Sequence, residues 1–145
     1  MWGYFKANNG AVYEGRYVAN AELENGIFVE LNASGKVIPL AAANTNLKLQ
    51  VVEKRKEHGM YMVGAVVIAE ADTGLWFNHT ICTLDADLPG DRTQWKIPAG
   101  GYVRMRQPLK GDEIYKDVTQ ALYESLNVGD IVNAGANGVF VKAAG

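Results

Sequence analysis

Leu47-Lys48-Leu49-Gln50-Val51, and after it Met60-Tyr61-Met62-Val63-Gly64-Ala65-Val66-Val67-Ile68-Ala69, decide how this chain folds. The first segment alternates strictly between apolar and polar residues, the pattern of a strand with one face in water. The second is almost wholly apolar and rich in valine, which predicts a central strand covered on both faces. A helix competes for that stretch, but Gly59 and Gly64 disfavour it, since glycine costs about 1 kcal/mol in a helix interior. Between the two lies Glu53-Lys54-Arg55-Lys56-Glu57-His58-Gly59, which reads as a solvated hairpin loop.

The same β signature extends in both directions. Asn9-Gly10, Asn25-Gly26 and Asn137-Gly138 are hairpin signals, because both residues tolerate the positive φ that matches strand twist. Gly26 opens a strand over 27–31, and Ser34-Gly35 turns the chain into a second over 36–39. Pro39 must end that strand or confine it to an edge, because it has no N–H for a ladder. Further strands are expected at 76–84, 102–106, 113–118, 131–133 and 139–142. One short helix is expected near 118–126, with Asp117 as N-cap, Gln120 three residues on and Asn127 at its end. Leu23-Glu24-Asn25-Gly26-Ile27-Phe28-Val29 is echoed by Leu126-Asn127-Val128-Gly129-Asp130-Ile131-Val132, which suggests two similar hairpins on one sheet or barrel. The fold class is therefore mainly β: a single antiparallel domain over 1–145, with residues 1–12 as a candidate N-terminal arm. A sandwich and a barrel satisfy the pattern equally.

Composition narrows the function classes. The chain has 145 residues, 48% hydrophobic and 21% charged, enough to enclose a core and too apolar for a disordered chain. Its longest apolar stretch, 61–69, is too short to cross a bilayer, and no basic-then-apolar leader opens the sequence. The net charge of -2 disfavours a dedicated nucleic-acid binder. A single cysteine, Cys82, excludes internal disulfides and fits a reducing compartment.

Catalytic signals are weak. His79 stands three residues before Cys82, but on a strand that spacing puts the two side chains on opposite faces. His58 reads as an exposed turn residue. Neither Ser34 nor Ser125 lies in a nucleophile turn. Asp85, Asp87, Gly90 and Asp91 fit four positions of a calcium loop, yet Pro89 offers no side-chain oxygen and Lys96 stands where a glutamate is required. Zinc has no paired cysteines or histidines to hold it. Ala99-Gly100-Gly101 precedes a β-like run and not a helix, so it is no phosphate loop. Asn32-Ala33-Ser34 and Asn78-His79-Thr80 match the glycosylation pattern by chance if no secretory leader is present. The expectation is a non-enzymatic chain without cofactor or metal.

What remains is aromatic and arginine placement. Trp2, Tyr4, Phe5, Tyr13 and Tyr17 crowd the first seventeen residues. They are either a first strand folded onto the core or an arm that docks on a neighbour, since Trp, Tyr and Arg are favoured interface anchors. Trp76, Trp95 and Tyr102 admit the same two readings. Trp2, Tyr4, Phe5, Tyr13, Arg16, Trp95, Arg104 and Arg106 are the candidate subunit or partner contacts.

Several segments resemble tailed-bacteriophage head proteins of the capsid decoration, or cement, family. They are the run from Tyr17 through Glu24-Asn25-Gly26 to Leu31 with the alanine-rich stretch after it, Gly101-Tyr102-Val103-Arg104, Leu109-Lys110-Gly111-Asp112-Glu113-Ile114, and Leu126 to Val132 running on to Val141. Together they cover a little under half the chain, and nothing between Lys48 and Pro98 takes part. The resemblance implies a virion structural protein that binds the major capsid protein on the outer face of the shell. It further implies a homo-oligomer, with a trimer favoured, and no contact with nucleic acid or membrane. No functional residue carries over by a matching motif. A head-fibre or tail component that binds a host surface ligand is the alternative, as is a host β-barrel that binds a small ligand.

Overall fold

The computed structural model describes residues 3–6, 13–57, 59–71, 74–78 and 96–144, and for Tyr4 and Tyr13 the backbone alone. Its centre is the hairpin that the opening segments specify: β6 (Asn44–Glu57) against β7 (Met60–Ala69). Leu47, Leu49 and Val51 of β6 face inward beside Ala65 and Val67 of β7, all of them buried. β11 (Glu113–Val118) flanks β7 on its other side, so β7 is central as expected.

β6 does not stop where its charges begin. The stretch read as a solvated loop is the second half of the strand, entered through a register shift between Val51 and Glu53. Two arrangements make this tolerable. Arg55 is bridged by Glu53 at 2.9 Å and by Glu57 at 2.8 Å, at the two-residue spacing that puts all three on one face. On the opposite face Lys54 lies over the Tyr123 ring and donates to the Leu126 carbonyl at 2.6 Å, while Lys56 lies over Tyr61. A charge run can thus be a strand when each charge finds a partner on its own side. The turn shrinks to the residues around Gly59, whose φ is 73°; His58 lies outside the described residues.

The six-stranded sheet runs β1 (Gly3–Lys6), β11, β7, β6, β12 (Ile131–Ala134), β13 (Phe140–Lys142). A five-stranded sheet runs β2 (Tyr13–Glu14), β10 (Met105–Arg106), β8 (Trp76–Asn78), β4 (Phe28–Leu31), β5 (Val37–Pro39). Pro39 does lie on an edge strand. A two-stranded ribbon, β3 (Leu23–Glu24) with β9 (Lys96–Ile97), completes the set. The main core lies between the two large sheets, where Phe28, Phe77 and Phe140 meet Leu47, Leu49, Val63 and Ile114. A second, smaller core of Ala19, Leu23, Val29, Val37, Ile97, Val103 and Met105 fills the opposite face of the five-stranded sheet. The fold is mainly β and antiparallel, and its sheets are layered and not closed into a barrel.

Three expectations need correction. Residues 3–6 are the edge strand β1 and not an arm: they pair with β11, and Phe5, 7% exposed, packs on Phe77. Gly3 permits the close approach, since a Cβ there would stand 3.0 Å from both Lys116 Cβ and Tyr115 O. The helix α1 spans Gln120–Ser125, and its N-cap is Thr119, whose side chain accepts from the Leu122 N–H at 3.2 Å. Asp117 cannot cap it because β11 keeps it in the ladder opposite Met62. The echoing segments lie in different layers: β4 and β5 form a hairpin in the five-stranded sheet, β12 and β13 in the six-stranded one. They meet instead through the Asn137-Gly138 turn, where Asn137 (φ 66°) and Gly138 (φ 79°) are both left-handed. A Cβ on Gly138 would strike the Phe28 carbonyl.

Candidate functional site

The candidate surface grows from the segment that follows β2. The pairing slips by one residue between the β2–β10 ladder and the bridge of Val18 with Tyr102. The Val103 N–H donates to Tyr17 O at 3.0 Å and the Ala19 N–H to Gly101 O at 2.9 Å, which holds the two segments antiparallel. That bridge sets Val18 opposite Tyr102, with Arg16 and Arg104 each two residues along their segments from it. Val103 and Met105, pointing the other way, are completely buried in the second core. The result is an exposed ridge on two tied segments. One carries Tyr102, 72% exposed, and the exposed Arg104. The other carries the exposed Arg16, whose guanidinium lies 6.0 Å from the centre of the Tyr17 ring.

Glu14 sets the charge of this ridge. Its carboxylate accepts from Arg16 Nε and Nη2, both at 3.0 Å, and from the backbone N–H groups of Gly15 and Arg16. The guanidinium so bonded holds the Glu14 carboxyl down at about 2 and raises the Arg16 value in turn. Arg16 is thus held charged and paired with Glu14 at the surface. Arg104 is exposed, and no ion pair involves it among the described residues. Of the two arginines on these segments, one is paired and the other is in water.

The remaining candidates part company. Phe5 and Arg106 go inside together: the Arg106 guanidinium lies over the Phe5 ring, 5.5 Å from its centre, between the two sheets. Arg104 and Arg106 share a side of their segment, but the first reaches water and the second lies half-buried beneath β1. Tyr4 is on β1 opposite Tyr115, and Tyr13 is on β2 opposite Arg106. Trp2 and Trp95 lie outside the described residues, as do His79, Cys82 and the 85–91 loop. Trp76 packs partly buried against the second core. The sequence left Tyr102 open between core and surface; parity with buried Val103 and Met105 was the signal that places it outward.

Among the depressions on the described surface, two lie beside β12 and β13. One, of about 760 Å³, is lined by Thr45, Asn46, Lys48, Asp130, Asn133 and Lys142, with Lys142 3.6 Å from Asp130. The other, of about 290 Å³, runs between α1 and β13 and is lined mainly by Val118, Leu122, Val139 and Val141. Among the described residues no three His, Cys, Asp or Glu side chains gather where they could hold a metal ion. No described helix is long and apolar enough to cross a membrane. No family model matches this chain, and neither a curated protein nor a solved structure does.

Proposed function

We propose that this chain is a decoration protein of a tailed-bacteriophage head, binding the major capsid protein on the shell's outer surface and bracing adjacent capsomers. The observation that carries the reading is the ridge: a tyrosine 72% exposed, on backbone pinned by cross-strand hydrogen bonds, with exposed Arg16 and Arg104 on the same two segments. Tyrosine buries a large area at little entropic cost and arginine makes several directional hydrogen bonds, which is why both serve as anchors. Arg104 supplies a cation for an acidic patch on the shell; Arg16, tied to Glu14, supplies shape more than charge. Each contact can be modest, because oligomeric copies at fixed spacing act together. The turn-and-strand segments that resemble decoration proteins include this ridge at Gly101-Tyr102-Val103-Arg104.

The test is to count this chain against the major coat protein in purified particles by quantitative mass spectrometry, then to add Tyr102→Ala and Arg104→Glu chains to stripped particles. A copy number approaching that of the coat subunits, with rebinding lost in both variants, is the expected result. A handful of copies per particle would favour a fibre or tail component. Absence from particles would overturn both virion roles.

A further inference from the structure

The space between the two large sheets holds a residue that packing does not call for. Lys116 stands on the inward side of β11, completely buried, with Nζ 5.7 Å from the centre of the Phe140 ring. Burial pushes its amine down to about 8, against the opposing pull of Asp117 and Glu24. Its stem begins beside the turn between β3 and β4. A Cβ built on Gly3 would stand 3.0 Å from Lys116 Cβ and 3.2 Å from Gly26 Cα, so both border one point. Asn25, the residue before Gly26, is completely buried as well. Asn78 reaches the same turn, donating from Nδ2 to Glu24 O at 2.7 Å, while its buried Oδ1 has no hydrogen-bond partner. Lys116, Asn25 and Asn78 are thus buried around one turn, and the Glu24 carboxylate lies near enough for its charge to act on the Lys116 amine.

We propose that Lys116 and Asn25 are joined in the folded protein by an isopeptide bond. An amine attacks only when neutral, and an apolar surrounding favours that form. Holding amine and carboxamide together in the fold replaces a bimolecular encounter, and exclusion of water removes the competing hydrolysis. The Nζ lone pair adds to Cγ of Asn25, and the tetrahedral carbon collapses by breaking its bond to Nδ2. One Nζ proton passes through the Glu24 carboxylate to Nδ2, which leaves as ammonia. The products are a secondary amide and ammonia, with no change of oxidation state. The bond would tie β11 to the β3–β4 turn, closing a loop of about ninety residues as a disulfide does in a chain with more cysteine. It would also remove a buried cation.

Intact mass decides the matter on the full chain. The expected mass is one ammonia below the sequence value, and trypsin should release a linked pair of peptides containing Asn25 and Lys116, uncut after Lys116. Lys116→Arg and Asn25→Ala chains should each show the unreduced mass of their own sequences. A wild-type mass equal to the sequence value after prolonged incubation of the folded protein overturns the proposal, even if neither variant folds. An ammonia loss confined to the Asn25-Gly26 peptide, the mark of a succinimide, also overturns it. Capsid binding does not enter this test, so its outcome is separate from that of the proposed function.

Discussion

Phe5 with Arg106 and Tyr102 with Arg104 are two combinations of the same residue types, an aromatic and an arginine, with opposite fates. The first is inside: Phe5 is 7% exposed on Phe77, and the Arg106 guanidinium lies over its ring. The second is on the surface, with Tyr102 72% exposed. Arg104 and Arg106 even share the same side of their segment. What separates them is the layer above: β1 crosses over Arg106, and nothing described crosses over Tyr102 and Arg104. Residue type marks what a side chain can do; the neighbouring strand decides whether it serves the core or a partner.

The largest effect that would break this comparison is Phe5→Ala. It should lower unfolding free energy by about 3 kcal/mol or more, the usual cost of truncating a core phenylalanine, read from urea denaturation. A loss under about 1 kcal/mol would return β1 to the status of an arm. The inner layer has a second marker in Lys116. While it remains an amine, its folded value of about 8 lies below the unfolded 10.5, so the unfolded chain binds more protons between those values. The charged lysine then destabilises the fold below pH 8 by about 3 kcal/mol, and stability rises as pH climbs from 8 toward 10.5. A wild-type chain lacking that rise, beside an Asn25→Ala chain showing it, would agree with the isopeptide bond.

Smaller effects sharpen the contrast. Arg106→Ala should cost about 1–2 kcal/mol through lost packing on Phe5, whereas Arg104→Ala should change stability by less than about 0.5 kcal/mol. Equal effects from the two would mean that they share an environment. Thr119→Ala, which removes the cap of α1, should cost about 1 kcal/mol. Tyr102→Ala should be close to neutral in the same urea titration and felt only in particle binding. A Tyr102→Ala chain that unfolds readily would place the ridge in the core.

The strands were legible where a local rule sufficed. Alternation over Leu47–Val51, the apolar run of 60–69, Glu113 to Val118, and Pro39 as an edge marker all depend on a residue and its near neighbours. The candidate site was legible in part. Arg16 and Arg104 were named without anything to bring their segments together, and Tyr102 stayed undecided, because the bridge of Val18 with Tyr102 joins residues far apart in the chain. Glu53 to Glu57 misled for a related reason. Charges look solvated until the faces that pair them are known, and those faces belong to Tyr61, Tyr123 and the bulge after Val51.

By itself, then, the sequence determined that the chain is β, where its glycine turns lie, and which long segments are strands. These follow from side-chain alternation and backbone dihedral preference, both properties of a few consecutive residues. The tertiary structure alone decided that the sheets stack as layers, that β1 covers Arg106 and leaves Tyr102 exposed, and that a lysine lies beside the turn at Asn25. Such outcomes are set by contacts between residues far apart in the chain, whose free energy exists only once the layers have closed.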